Sequence, residues 1–447
     1  MSLLQPPRPG VHWFSILASA LDRRSAPRLA KLLLGAVLAR GRRTVTSWIR
    51  AVGLSDEFRP CYTTVAAAGR RADAIAARLV AEVVKPLVAG ESRVTLAIDD
   101  TPTPRYGPHV QGAGVHHNPS PGPAGSPYVY GHVFVVLALL GSHPHWGLIA
   151  LPLLARLYIR KKDLPSIDRR HRPAFRTKLT QAVELMEWAI IWLGMLGKAL
   201  WVVVDGAYAK APFLKPMIAR GVTVVSRLRK DAALFSEPAP RRPGQRGRPR
   251  VYGEDRIRLA QRAGQKRGWT VETFTLYGKP TKKRYKTFLA TWRPAGGLIR
   301  VVLVDEPTGW IAFFCTDPTA TVADILGCVA DRFSIETCFR DTKDVVGAGQ
   351  QQVRFLHANI GAFHLCLWTV TLTEAWAWNR PAAELVGHRS ASPWDTEERR
   401  PSHADKRRAW RRELLGQEIQ ALLQTRPNAE EIEGLAERLL NLGVSIT

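Results

Sequence analysis

Two short apolar runs, VTLAID at 94–99 and LWVVVD at 200–205, each end in an aspartate, and this pairing constrains the fold more than any other feature of the chain. Runs of branched and aromatic residues of this length favour β-strands. Strand tips that lie side by side bring together acids separated by more than a hundred residues in sequence. A third acid, Glu336, sits in DRFSIETCFRDTK (331–343), where the pattern is helical. Three carboxylates converging from strand ends and a helix are a hard oxygen donor set suited to a divalent cation.

The elements around these acids have a readable order. A strand at 94–99 leads into a Pro/Gly/His loop at 101–127, then strands at about 131–140 and 146–153 and a long helix at about 174–198. A strand at 201–205, a helix near 211–219 and a strand at 222–228 follow. Three strands and then helix, strand, helix, strand is the RNase H-like order. In that order the first and fourth strands are neighbours, so Asp99 and Asp205 are expected to meet at their carboxyl ends. Residues 229–319 interrupt it with a basic stretch, PAPRRPGQRGRPRVYGEDR, and the alternating runs TVETFTLY, YKTFLATW, LIRVVLVD and WIAFFCT, which read as an inserted β-sheet. A helix starting near Val322 resumes the core. The expected class is α/β, an RNase H-like mixed sheet flanked by helices, with a mainly β insertion and helical ends. The expected division is a helical DNA-binding region at 1–88, core at 89–228, basic β-rich insertion at 229–319, core again at 320–380 and a helical region at 381–447.

Charge narrows the partner. Against 38 Asp and Glu stand 64 Lys and Arg, a formal net charge of +26. A chain this basic suits a polyanion, and phosphate neutralisation supplies most non-specific nucleic-acid affinity. The five cysteines form no CxxC pair and lie among apolar residues, as expected of reduced core thiols in a cytosolic protein. The apolar stretch Tyr128–Leu157 is broken by Gly141-Ser142-His143-Pro144-His145 and reads as two strands around a turn, so no membrane role is expected. No signal-peptide pattern is visible at the N-terminus.

Further candidates cluster by charge. Arg332, Glu336, Arg340 and Lys343 share one helix face, with Phe333, Ile335 and Cys338 opposite. Alone, such a face is equally a salt-bridge ladder; beside two strand-end aspartates it reads as a phosphate-binding face. Arg42 and Arg43 crowd a turn before a helix start at Thr44. Arg246-Gly247-Arg248-Pro249 matches the core of a minor-groove AT-hook, though so short a motif also recurs by chance. His116, His117, His143 and His145 have no metal-ligand spacing, and His364 reads as a satisfied core residue. His132, at a strand start near the acids, is a weaker functional candidate. Between Asp99 and Asp100, strand alternation does not decide, because a central strand can be buried on both faces.

With these motifs in view, the chain resembles the DDE transposases of bacterial insertion sequences, in the group with a β-insertion before the glutamate and a Tyr-Arg-Glu-Lys signature. The resemblance covers about 90–380. Arg332, three residues, Glu336, six residues and Lys343 fit the signature, whereas its Tyr position, three positions before Arg332, holds Val329. The family's aspartate is followed two positions on by Thr or Ser, which favours Asp99 over Asp100. What the resemblance implies is a nuclease and strand transferase acting on the ends of its own mobile element, in a nucleoid-associated bacterial setting. Asp99, Asp205 and Glu336 would hold two Mg²⁺, with Mn²⁺ as a substitute. Partners would be double-stranded DNA, both terminal repeats and target, bound by a homodimer. In some relatives an aromatic of the insertion stacks on a flipped base, making Trp269 and Trp292 candidates against an ordinary core role. Two other classes stay open: a non-cutting DNA-binding regulator of the same descent, and an RNase H-like nuclease without strand transfer.

Overall fold

The computed structural model describes residues 9–118, 125–241, 244, 246–386, 399–424 and 427–444. The expected loop at 101–127 and the basic segment after 235 therefore lie partly outside the described residues. Helices α1 (Pro9–Ala18), α2 (Ala26–Leu38), α3 (Val45–Ala51), α4 (Phe58–Arg70), α5 (Ala72–Leu79) and α6 (Lys85–Val88) precede the first strand. Strands β1 (Arg93–Pro104), β2 (Gly114–His117), β3 (Tyr128–His143) and β4 (Gly147–Tyr158) lead to helix α7 (Lys178–Leu193). Strand β5 (Ala199–Val204), helix α8 (Ala211–Ala219) and strand β6 (Thr223–Leu228) complete this half of an RNase H-like fold. The spatial order runs β4, β3, β1, β5, β6, with β1 antiparallel to β3 and parallel to β5. From Gly131 to Gly141 β3 is buried without interruption. That burial explains why Tyr128–Leu157 is so apolar: it supplies two adjoining strands of a covered sheet. One helical stretch, Lys178–Leu196, is long and apolar enough to cross a membrane, and it packs across β3 and β4.

The inserted strands do not build a sheet of their own. Strands β7 (Leu234–Phe235) and β8 (Arg256–Ile257), helix α9 (Leu259–Gly264), and strands β9 (Thr270–Leu276), β10 (Lys279–Trp292), β11 (Gly297–Asp305) and β12 (Ile311–Cys315) follow in the chain. β12 pairs antiparallel with β6, placing Phe314 opposite Ser226, so the insertion prolongs the core sheet to twelve strands. Ile299 and the consecutive run Val301–Val304 of β11, with Ala312, Phe314 and Cys315 of β12, join the same hydrophobic core as β5 and β6.

Helix α10 (Val322–Asp344) starts where the sequence predicts because Thr321 and Asp324 form a reciprocal capping box. It is followed by α11 (Leu356–Ala377), α12 (Ala382–Val386), α13 (His403–Gln424) and α14 (Ala429–Val444). Nearly every residue of α11 is buried. It covers β4 on one side, where Trp368 donates to Leu153 O at 2.9 Å, and receives α4 on the other. The two helices touch backbone to backbone: a Cβ on Gly69 would fall on the carbonyl of His357, and one on Gly361 on that of Val65. Only glycine fits at both positions.

A buried charge cluster ties α13 to α11. Glu374 accepts from Lys406 and pairs with His403 at 2.7 Å, and all three side chains are buried. Burial pushes the Glu374 carboxyl up, but Lys406 and His403 outweigh it and hold it well below the usual carboxylate range. A depressed carboxylate adds stability above its unfolded pKa of about 4.3 and loses it as pH falls toward the folded value. Glu374→Gln is expected to cost about 3 kcal/mol at pH 7, since breaking one side of a buried pair strands the other charge. Thermal melts between pH 7 and pH 3 should show this gap between wild type and variant closing below about pH 4.

Candidate active site

Asp99 and Asp205 stand at neighbouring positions because of one register. β1 and β5 run parallel with Ile98 opposite Val204, so the next residues are Asp99, within β1, and Asp205, just past the end of β5. Asp205 is exposed, its Oδ2 3.5 Å from the Ala207 amide. Asp99 is more enclosed: Oδ1 accepts the Asp100 amide at 2.8 Å and Oδ2 accepts Arg332 Nη1 at 2.6 Å. Burial pushes the Asp99 carboxyl up to about 6, against the pull of Arg332 and with a further push from Asp100 and Asp205. A carboxylate so poorly compensated favours an added positive charge.

Asp100 points to the other face of β1. Lys178, the first residue of α7, reaches its Oδ2 at 2.6 Å, and the Tyr208 hydroxyl donates to its Oδ1 at 3.2 Å. Burial and the Asp100 charge raise the Tyr208 phenol far above its ordinary range, so it remains a donor. Asp100 is thus neutralised within the fold while Asp99 faces α10. The two helices that meet these side chains are distant in sequence, so strand alternation alone could not place them.

Helix α10 runs beside β1 in the same direction: Arg93 pairs with Asp324 at 2.6 Å, and Arg332 with Asp99 further along. The other arm of the Arg332 guanidinium holds Glu336 Oε1 at 2.9 Å. Arg332 therefore bridges the first and third acids, and Glu336 is exposed beyond it. The helix face expected to be uniform is split. Arg340 lines a different cavity, with Trp146 and His403, and Lys343 is half-buried with its ammonium pKa lowered by that burial. Phe333 departs from the expected apolar side: it is 55% exposed and meets Tyr277 edge-on at 6.2 Å, whereas Ile335 and Cys338 are buried. Asp205, Arg227, Tyr277, Val329 and Arg332 share a cavity of about 180 Å³. Arg227 and Tyr277 were not among the sequence candidates. Arg227 was findable as the lone exposed charge in the buried strand TVVSRL, and Tyr277 as the residue preceding Gly278 at a hairpin turn, where it takes a positive φ of 55°.

The remaining candidates scatter. Arg42 is exposed, but Arg43 turns inward: its amide donates to Gln350 Oε1 at 2.7 Å and its carbonyl accepts from Gln351 Nε2 at 2.8 Å. Arg246 and Arg248 are exposed on a loop whose ends are drawn together by the β7–β8 pair. Trp292 is buried against Phe314, and Trp269 lies under Arg284 and Lys286, so both have sheet-packing positions. His132 is buried and neutral, its pKa pushed down to about 3 by burial and Arg105. His364 accepts the Ala155 amide at 3.0 Å and bonds Ile360 O at 2.8 Å, a satisfied core residue. All five cysteines are free and buried.

Asp99, Asp205 and Glu336 offer only hard oxygen donors, which suits Mg²⁺ or Mn²⁺ and not zinc. Among the described residues no three His, Cys, Asp or Glu side chains stand close enough together to hold an ion. Here the guanidinium of Arg332 supplies the compensating charge between Asp99 and Glu336. A family model described as DDE superfamily endonuclease matches residues 17–294, more than half the chain. The matched stretch contains Asp99 and Asp205 and ends before Glu336. No curated protein matches it.

Tyr208→Phe removes the hydroxyl donated to Asp100 and leaves the packing on Phe213 intact. The expected outcome is a loss of about 1.5 kcal/mol, seen as a lower urea midpoint with an unchanged slope.

Proposed function

From the chain's membership of the DDE superfamily endonucleases, we propose that it is a metal-dependent transposase that cuts DNA at the ends of its own element and joins the freed 3′-OH to a target. Endonuclease action on DNA follows from the family; element-end recognition, joining and the use of Mg²⁺ are this proposal. The observation that carries it is the convergence of Asp99 and Asp205 on adjacent parallel strands, with Glu336 tied to Asp99 through Arg332. Members of the superfamily typically use divalent metals, and Asp99, Asp205 and Glu336 are the residues that would hold them. When bound, such ions supply Lewis acidity for the attacking and leaving oxygens of the phosphodiester.

The chain's own residues do the rest. Arg332 has two N–H arms already engaged with carboxylates, the same fork that grips a phosphate. Exchange of both carboxylates for the oxygens of a DNA phosphate would free Asp99 and Glu336 as ligands and hold the substrate beside them. Lys343, further along α10, adds a point charge, and Arg42, Arg246 and Arg248 extend the basic surface that the net charge of +26 provides. Asp100, held by Lys178 and Tyr208, fixes β1 against α7 and stays out of the chemistry. Two copies on paired ends follow from the need to join both ends to one target.

Asp99→Ala, Asp205→Ala and Glu336→Ala should each reduce Mg²⁺-dependent cleavage of element-end DNA by at least a hundred-fold, roughly the scale of losing a main electrostatic contributor, while leaving DNA affinity within a few-fold. An active Asp205→Ala protein would overturn the assignment. Binding without nicking by the wild type would favour the regulator, and cleavage without joining of a pre-cut end to a plasmid would favour a simple nuclease. Arg332→Ala and Lys343→Ala are expected to weaken DNA binding and to lower the slope of log K against log[salt] by about one each.

A further inference from the structure

The parallel course of β1 and α10 continues past the carboxylates. After Arg93 meets Asp324 and Asp99 meets Arg332, Arg105 donates through Nη1 to the carbonyls of Gly349 at 3.1 Å and Gln351 at 2.8 Å. Thr103 shares the face of β1 that carries Asp99, since strand side chains alternate, and Arg105 follows just past the strand's end. Beyond them, between the segments at 104–110 and 348–354, lies a cavity of about 840 Å³ with Arg42 at its edge. Pro104 is five residues from Asp99, roughly 17 Å at about 3.3 Å per residue. That is about five nucleotides at the 3.4 Å spacing of one B-form strand.

The lining is chemically one-sided. Arg42, Arg105, His109 and Arg354 contribute, and among the described residues no carboxylate does. Arg105 is only 5% exposed; its Nε donates to His132 Nδ1 at 3.0 Å, and its Nη2 is buried with no hydrogen-bond partner among the described residues. Neutral His132, anchored through Nε2 to Gln111 O at 3.0 Å, is the acceptor that orients this guanidinium. Tyr106 stands 81% exposed on the same rim, and the Tyr130 hydroxyl, donating to Gly107 O at 3.2 Å, steadies the turn beside it. An exposed ring over a cationic hollow is the combination that binds a single strand: stacking for a base, positive charge for its phosphates. The volume is in the range of small-ligand sites, far short of what a duplex needs.

We propose that this cavity receives a short single-stranded stretch of the DNA substrate, within about five nucleotides of the cleaved bond, with a base on Tyr106 and phosphates against Arg42 and Arg354. The proposal rests on the nuclease reading above for the position of the cleaved bond. The test is fluorescence anisotropy of the full chain in EDTA, with a labelled blunt duplex and the same duplex carrying a six-nucleotide single-stranded extension as probes. Wild type is expected to bind the extended probe about ten-fold more tightly, and Tyr106→Ala to lose most of that gain while keeping its affinity for the blunt probe. Arg354→Ala should reduce the gain as well. Equal binding of both probes by wild type, or an undiminished gain in Tyr106→Ala, overturns the proposal. If metal-dependent cleavage is intact and the extension adds nothing, the cavity assignment alone fails. If the extension adds affinity and no cleavage is seen, the nuclease reading fails and the strand-binding cavity stands. Binding to neither probe overturns both.

Discussion

The register that sets Ile98 against Val204 is the constraint on which the site depends. β1 is paired on both sides, antiparallel to β3 and parallel to β5, and its inward positions are closed by Leu96 and Ile98. Side chains alternate along a strand, so a slip by one residue would send Asp99 to α7 and Asp100 to α10. Each aspartate then would face the wrong cation. Two ion pairs on opposite faces, Asp99 with Arg332 and Asp100 with Lys178, therefore act as independent checks on a single alignment.

The second dependence is on α11. A helix buried on nearly all sides must be covered by elements that belong to different parts of the chain, and here β4, α4 and α13 do so. The glycine contact between α4 and α11 brings two backbones close enough that the N-terminal helices cannot stand off from the core. Arg43 adds to the same joint through Gln350 and Gln351. The N-terminal region is thereby built into the body of the fold, with Gly41 and Arg42 in the wall of the cavity between 104–110 and 348–354.

Much of the architecture was legible because it rests on local signals. The apolar period gave the strands and helices of the core, and the expected helix start near Val322 coincides with the first residue of α10. The convergence of Asp99 and Asp205 was legible for the same reason, since it follows from strand order. What could not be read depends on partners remote in sequence. Which partners Asp99 and Asp100 meet turns on Arg332 and Lys178; the placement of Arg43 depends on glutamines three hundred residues away; and the outward-facing Phe333 meets Tyr277 of the insertion. The inserted strands looked separable because sequence shows only their alternation, and not the hydrogen bonds that β12 offers to β6.

Those hydrogen bonds bear on how such a chain can be shortened. β6 would otherwise be the last strand of the core, with a row of amides and carbonyls open on one side, and open rows of that kind recruit strands from other molecules. The insertion closes that edge and buries Phe314 and Cys315 against the core as it does so. Excising residues 229–319 would leave a complete set of acids on a sheet prone to self-association. The inserted segment thus covers an edge of the core sheet, and its loss is expected to be felt first as aggregation.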